Sequence, residues 1–472
     1  MCIRDRYWRL NNLYYIIDKQ GRKVLFRFNK QQEYLFRNLW WRNLILKARQ
    51  IGFTTFIDLY LLDECLFASN LEALIIAHNL VDAQRIFRRK IKFAYDNLPK
   101  IIRELRPNLA NTKTELQFGN GSSIAVGLSG RSGTYNLLHI SEFGKICARY
   151  PLKAEEIVTG ALPAAHEGSI TFIESTAEGR SGYFYDYCTE AQQIEAQVNR
   201  GLHRLSRLDW RFFFFAWWGD AGNSIDTPVP IPQKVNEYFA DLNRKYGISL
   251  DIHQKWWYVK VARDLGDRMK SEHPSTPEEA FEASIEGAYF ASAFRWLYDN
   301  KRIIDLPVDP NVDVDTWWDL GYNDIMAIWF TQTIGLRVHV IDYFEHHSEG
   351  LEFYKAKLIE KGYRYGMHYA PHDVVQTDWL HGRSRWHQAR ELFGVKFDVV
   401  RRVPNKMDAI NAARRFFSCC WFDRTRCDDG LRRLQNYRRE WDDRLGTYKS
   451  TPLHDANSNA ADAVMTVSYT HL

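Results

Sequence analysis

A chain of 472 residues with 45% hydrophobic and 26% charged content has enough apolar material for two or three domains, each with its own core. The net charge of +5 is too small to argue for or against a polyanionic partner. No apolar run reaches membrane-spanning length, no secretory leader stands out, and seven cysteines without a regular framework fit reduced thiols in a cytosolic enzyme. Cys419, Cys420 and Cys427 are read as core, because adjacent cysteines are poorly spaced around one zinc ion. The two ends are set apart. Residues 1–6 and 467–472 are what two reverse-complementary DNA strings encode, and those strings look like a transposon end used in preparing sequencing libraries. Both hexamers are expected to be adapter read-through that truncates the natural chain, and they are left out of fold reasoning.

The first chemical motif is KARQIGFTT at 47–55. An apolar run at 43–46 precedes it and suits a buried strand; residues 56–68 have helical spacing of Phe, Leu and Tyr. Strand, tight Gly-containing turn and helix start make an anion cradle, because free backbone N–H groups and the helix dipole face the ligand. The usual loop has Lys just before the Ser or Thr that serves magnesium. Here Phe53 holds that place and Lys47 opens the loop, so either the loop is dead or Lys47 folds back to supply the charge.

Apolar runs at 71–77, 137–140 and 170–173 follow, ending in His78-Asn79, Ser141-Glu142 and Glu174-Ser175-Thr176, with helical stretches at 82–97 and 154–161 between them. Alternating strands and helices predict a parallel sheet whose ligands gather at the strands' carboxyl ends. The loop, Glu142 and Ser175-Thr176 are therefore expected to converge. In the second nucleotide motif the first acid organises magnesium and the second orients water. Ser141 stands in the first place, to act on the metal through water, and Glu142 is the candidate base; the plain alternative is a glutamate capping the next helix. Ser175 and Thr176 have the place of a sensor coupling phosphate state to movement, with simple turn hydroxyls as the alternative.

KARQIGFTT, GNGSSIAVG, LLHISEFGKICARYP and ITFIESTAEGRSGYFYDYC together resemble the ATPase half of tailed-bacteriophage terminase large subunits. That resemblance implies an ASCE-type P-loop ATPase domain. The family tolerates lysine at the loop start, and its adenine-contacting glutamine maps onto Gln32, with Gln31 second. Lys47, Arg49, Gln50, Gly52, Thr54 and Thr55 would then hold ATP, with Thr54 and Ser141 serving Mg2+. Arg49, Arg131 and Arg180 are open alternatives for a finger on the transferring phosphoryl group. Arg85, Arg88, Arg89 and Lys92 could track a DNA backbone, although a solvated helix face is the favoured reading.

Residues 211–305 read as a bridging region after a motor domain at 7–210. The aromatic strand at 210–218 is taken as core rather than a base-stacking platform. The prolines at 228–232 mark a linker, and HPSTPEEAF at 273–281 resembles a segment that terminases carry between motor and nuclease. From 306 to 466 the pattern is β-rich: strands at 316–320, 327–331 and 337–344, a turn at 321–324, a helix at 350–362, a strand at 365–370 and a last helix from about Asn457. This is the order of a ribonuclease-H-like α/β nuclease domain. It brings Asp319, Asp373 and Asp462 together, and three carboxylates at one place require divalent ions, two of which can steady both oxygens of a phosphodiester cleavage. Asp324, His372 and Asp455 are supporting candidates.

HDANSNAADAV at 454–464 resembles the last terminase nuclease motif, with Asn459 where the family often has His. The resemblance, from about Asn29 to Met465, implies ATP with Mg2+ in the motor and two Mg2+ or Mn2+ ions in the nuclease. It also implies double-stranded DNA, a portal protein and a small terminase subunit as partners. A homo-oligomeric ring would act in the host cytoplasm, transiently at the procapsid portal vertex, with no membrane role. Arg383, Arg385, Arg432 and Arg433 are candidates to guide phosphates. A helicase–nuclease and a decayed, non-enzymatic DNA-binding relic are the other readings.

Overall fold

A computed structural model describes residues 5–131, 133–180, 182–282, 287–319, 325–372, 385–393, 397–400, 405–442 and 447–468. The chain divides into two compact units, residues 1–283 and 284–472.

The first unit is built on an eight-stranded sheet. Its strands are β1 (Arg42–Lys47), β2 (Glu72–Ile76), β3 (Asn108–Asn111), β4 (Glu115–Phe118), β5 (Ser123–Gly127), β6 (Tyr135–Ser141), β7 (Ala165–Ser175) and β8 (Trp210–Phe215). Their order is β8-β1-β7-β6-β2-β5-β4-β3. Neighbours from β8 to β5 are parallel, and β4 pairs antiparallel with both β5 and β3. The loop strand β1 is thus separated from the acid-ended strand β6 by one strand, β7, as in an ASCE-type P-loop ATPase. Strand β1 shows why its apolar run is unbroken: Ile45 enters the core on one face, Leu44 and Leu46 the core on the other. Three helices position the site: α1 (Lys30–Arg37), α2 (Phe53–Phe67) and α3 (Phe143–Arg149).

The expected boundary at 210 falls inside this sheet. Strand β8 pairs residue by residue with β1, so its aromatic run is an edge strand with core-facing rings rather than the start of a linker. The bridging stretch up to 283 belongs to the first unit, where Glu279 accepts the Tyr238 hydroxyl at 2.7 Å, and the remainder belongs to the second.

The second unit holds a seven-stranded sheet. Its strands are β9 (Ile303–Ile304), β10 (Val314–Asp319), β11 (Ile325–Ile334), β12 (Arg337–His347), β13 (Tyr365–Pro371), β14 (Phe397–Val400) and β15 (Cys420–Asp423), in the order β9-β15-β12-β11-β10-β13-β14. Strands β10, β11 and β12 form an antiparallel meander, and β13 and β14 add parallel to β10. That is the ribonuclease-H-like arrangement. Helix α4 (Leu351–Lys361) connects β12 to β13, and α5 (Ser458–Ser468) packs on β10 and β11. Cys420 and Cys427 are buried with their thiols on the Phe416 and Val340 carbonyls at 3.3 Å, as core residues. No described helix is long and apolar enough to cross a membrane.

Candidate nucleotide site and nuclease carboxylates

Strand β1 ends in Lys47, and the chain turns through Gln50 at φ 60° and Gly52 at φ 87° before α2 starts. The left-handed backbone favours glycine at Gly52, and a methyl group there would lie 2.8 Å from the Gln32 amide nitrogen, which would have to shift. Phe53 does not face the cradle. Its ring stacks on Phe215, centroids 4.2 Å apart, in the core beneath the loop.

Lys47 occupies the centre of the site. Its side chain is buried, with Nζ 3.2 Å from Glu142 Oε1 and 3.0 Å from Glu174 Oε2. Burial opposes its charge, but the carboxylates of Glu142 and Glu174 outweigh that and hold it above the ordinary lysine value. Glu142 follows the last residue of β6 with φ 56° and ψ 45°, a left-handed conformation that costs a glutamate energy and aims its half-exposed carboxylate back over the loop. It also stands at the start of α3, but its side chain makes no capping hydrogen bond, so the plain helix-cap alternative does not describe it.

Glu174 was not singled out from the sequence, yet it organises the floor of the site. It is completely buried in β7, and its Oε1 accepts the Thr54 hydroxyl at 2.7 Å and the Ser141 hydroxyl at 2.9 Å. His139, also fully buried, lies behind it with Nε2 3.5 Å from the same oxygen and Nδ1 2.9 Å from Asp58 Oδ1. Burial alone would raise the Glu174 pKa, but Lys47 and His139 hold it well below the usual carboxylate range. For His139, burial works against protonation, and the bonds to Asp58 and Glu174 more than compensate, raising its pKa. Lys90 Nζ, 3.7 Å from Asp58 Oδ2, ends the row. The signal was present in the sequence: a glutamate closes the apolar run of β7, a histidine interrupts that of β6, and Thr54 and Asp58 are spaced to share one face of α2.

Ser175 and Thr176, the expected sensor pair, lie at the carboxyl end of β7. Ser175 Oγ accepts the Gly144 amide at 3.0 Å, tying the end of β7 to the first turn of α3 two residues beyond Glu142. Thr176 is buried beside it. Other expected ligands have other partners. Gln32 forms a capping box with Asn29 and donates its amide nitrogen to the Gly52 carbonyl at 3.0 Å, so its amide ties the start of α1 to the loop. Gln31 donates to the Ala216 carbonyl at 3.1 Å. Arg49 turns to Glu272, at 3.1 Å, rather than into the cradle, and Arg131 reaches Thr159 at 3.4 Å; Arg180 is half-buried. Thr55 is half-buried in the first turn of α2. On the helical segment 80–96, Arg85 pairs with Asp82 and Lys92 with Asp96, while Arg88 and Arg89 are exposed.

In the second unit, Asp319 ends β10 at its carboxyl edge, and α5, carrying Asp462, packs against that strand. Asp462 Oδ1 is paired with Lys406 Nζ at 2.6 Å. Asp373 and Asp324 lie outside the described residues, as does Arg383; His372 is exposed at the end of β13. Asp455 accepts the Asn457 backbone amide at 2.9 Å and its side-chain amide at 3.0 Å, forming the turn that starts α5. Asn459 donates to the Ile325 carbonyl, which fastens α5 to β11. Arg433 forks onto Glu345 at 2.6 Å and Arg432 pairs with Asp428 and Asp429, so both are engaged within the unit. Arg385 begins a helix, Arg385–Phe393. Among the described residues, no three His, Cys, Asp or Glu side chains gather as a metal cage.

No protein-family model and no curated protein matches the chain. Among solved structures, the large terminase of bacteriophage HK97 is 13% identical, with 99% of this chain and 100% of that one covered at a TM-score of 0.45. These structural neighbours are phage large terminases. The ATPase domain of the Thermus phage P74-26 large terminase is also 13% identical, covering 54% of this chain and 94% of its own at TM-score 0.36. The nuclease domain of the bacteriophage SPP1 large terminase, solved with bound Mn, is 16% identical over 34% of this chain and 87% of its own, at TM-score 0.27.

Proposed function

We propose that this chain is a terminase large subunit: an ATP hydrolase that drives double-stranded DNA into a procapsid, joined to a metal-dependent endonuclease that cuts concatemeric DNA. The observation that carries the ATPase reading is Lys47 buried at the loop floor between Glu142 and Glu174, although the loop lacks lysine in its usual place. Bound nucleotide offers Lys47 a stronger partner than either carboxylate, because a triphosphate brings several negative charges to the loop's backbone N–H groups. Release of Lys47 from Glu142 frees that carboxylate, already held in its left-handed turn, to orient a water and take its proton. Ser175, through Gly144, ties that turn to the strand next to the loop, so a change at the phosphates reaches α3. The Thr54 and Ser141 hydroxyls, converging on one carboxylate oxygen, suit a magnesium ion, which when bound neutralises charge developing on the phosphates.

The nuclease reading rests on the strand order around β10 with Asp319 at its edge; Asp373 and Asp462 are proposed to complete the divalent-metal site. DNA, portal protein and small subunit are the partners this function requires, in a ring that works in the host cytoplasm at the portal vertex. The two activities separate by mutation. Glu142→Gln is expected to lower ATP turnover on the order of 10²–10⁴-fold, the usual worth of a general base, and to leave Mn2+-dependent cleavage of plasmid DNA intact. Asp319→Ala is expected to do the reverse. Loss of both activities in both variants, with folding intact, would contradict two separate sites.

A further inference from the structure

We propose that Glu174 is the carboxylate of the nucleotide's magnesium site, supplied from β7 in place of the acid missing at the end of β6. This rests on the ATPase reading above. In P-loop enzymes the metal is held by the hydroxyl at the start of the loop helix and by an acid that ends the second nucleotide-motif strand. Here the second position is Ser141, whose neutral hydroxyl cannot balance a dication. Glu174 is its direct cross-strand partner in the β6–β7 register. The Thr54 hydroxyl donates to it at 2.7 Å and the Ser141 hydroxyl at 2.9 Å, both to Oε1. The loop hydroxyl is therefore bonded to a carboxylate, as a magnesium site needs, but that carboxylate comes from the adjacent strand.

Burial sharpens the assignment. A carboxylate with no solvent exposure is retained in a protein interior only with a counter-charge beside it. Oε2 has one in Lys47 Nζ at 3.0 Å. When Lys47 turns to the phosphates, Glu174 loses that partner, and a divalent ion arriving with the nucleotide replaces it. The two cations take turns at one carboxylate. His139, fixed from behind by Asp58 at 2.9 Å, holds Glu174 in position during the exchange. No cage of protein carboxylates is needed, because a nucleotide magnesium takes most of its ligands from phosphates and water.

Titration of Mn2+ into the full chain with ADP, followed by loss of the free-ion paramagnetic resonance signal, tests this directly. A fluorescent ADP analogue in EDTA gives the metal-free nucleotide affinity of the same samples. Glu174→Gln is expected to weaken Mn2+ binding in the ternary complex roughly 10- to 100-fold, and not to weaken the metal-free ADP affinity, because loss of the Glu174 charge leaves Lys47 freer to meet the phosphates. Moving the acid back, in the folded double variant Ser141→Asp/Glu174→Gln, is expected to restore Mn2+ binding. Wild-type Mn2+ affinity in Glu174→Gln, or a folded double variant as weak as the single one, overturns the assignment. If the unaltered protein binds ADP neither with nor without metal, the ATPase reading itself falls.

Discussion

At the scale of single residues, the site depends on side chains held in places that cost energy. Glu142 adopts a left-handed backbone, Lys47 is buried, and Glu174 is buried more deeply still. Lys47 and Glu142 were legible in the sequence because they occupy motif positions at strand ends. Glu174 and His139 were not singled out, because a glutamate closing one apolar run and a histidine interrupting another acquire a role only when the sheet order brings them to Thr54 and Asp58. Gln32, the position expected to contact adenine, has its amide oxygen bonded to the Asn29 backbone and its nitrogen to the Gly52 carbonyl, pairings that its place in the sequence did not announce.

The residue scale also predicts a pH dependence. Burial, together with the charges of Arg49 and Lys19, pushes His273 down from 6.5 to about 4. A group with a folded-state pKa below its unfolded value binds fewer protons when folded. Its neutral form therefore supports stability above about pH 6.5, and that support is lost as pH falls toward 4. His139 has the opposite sign: its raised pKa contributes stability at low pH that is lost as pH rises through the folded value. Thermal melts between pH 6.5 and 4 are expected to fall less steeply for His273→Gln than for the unaltered protein. Parallel slopes would show that His273 does not titrate this way.

At the scale of elements, two helices transmit the site's geometry. Helix α2 carries Thr54 and Asp58 toward the nucleotide floor and Asp63 toward the amino-terminal segment, where Asp63 accepts a fork from Arg9 at 2.6 and 3.0 Å and the Tyr14 hydroxyl at 2.7 Å. The pair is buried on both sides. Asp63→Ala removes the buried carboxylate that Arg9 and Tyr14 share and is expected to cost about 3–5 kcal/mol, read as a lowered denaturation midpoint with an unchanged slope. A loss below about 1 kcal/mol, the usual worth of an exposed pair, would mean that Arg9 escapes to solvent.

Helix α3 is the second. A methyl group on Gly144 would lie 2.7 Å from the Thr176 carbonyl and 2.9 Å from Ser175 Oγ, and the carbonyl cannot give way. Gly144→Ala is therefore expected to shift the first turn of α3 and with it Glu142, destabilising the fold by about 1–3 kcal/mol and lowering ATP turnover more than nucleotide affinity. Equal losses in turnover and affinity would argue against a specific effect on Glu142. Helical spacing in the sequence marks 82–97 and 154–161 but gives no bounds for α3 and no sign of this contact, because close approach between β7 and α3 is a property of packing rather than of either segment.

At the scale of the whole molecule, the two sheets differ in how far the sequence exposed them. The parallel sheet was readable because each buried strand is a near-continuous apolar run ending in polar residues. Its edge was not, since the aromatic strand β8 follows a long helix and pairs with β1, far away in sequence. In the second unit the meander, the helix after it and the next strand were all legible, whereas β15 and β9 extend the sheet through short pairings that carry little pattern of their own. The pairing of two such folds in one chain is what joins nucleotide hydrolysis to DNA cutting in the proposed function. Its centre is the claim that Lys47, from the wrong end of the loop, performs the work of the usual lysine. The most direct measurement is steady-state ATP turnover by the purified full chain and by Lys47→Ala, with circular dichroism to establish that both are folded. Loss of on the order of 10²-fold or more, the scale of removing one charged stabiliser of the transition state, is the predicted result. A folded Lys47→Ala protein hydrolysing ATP at the unaltered rate would contradict it.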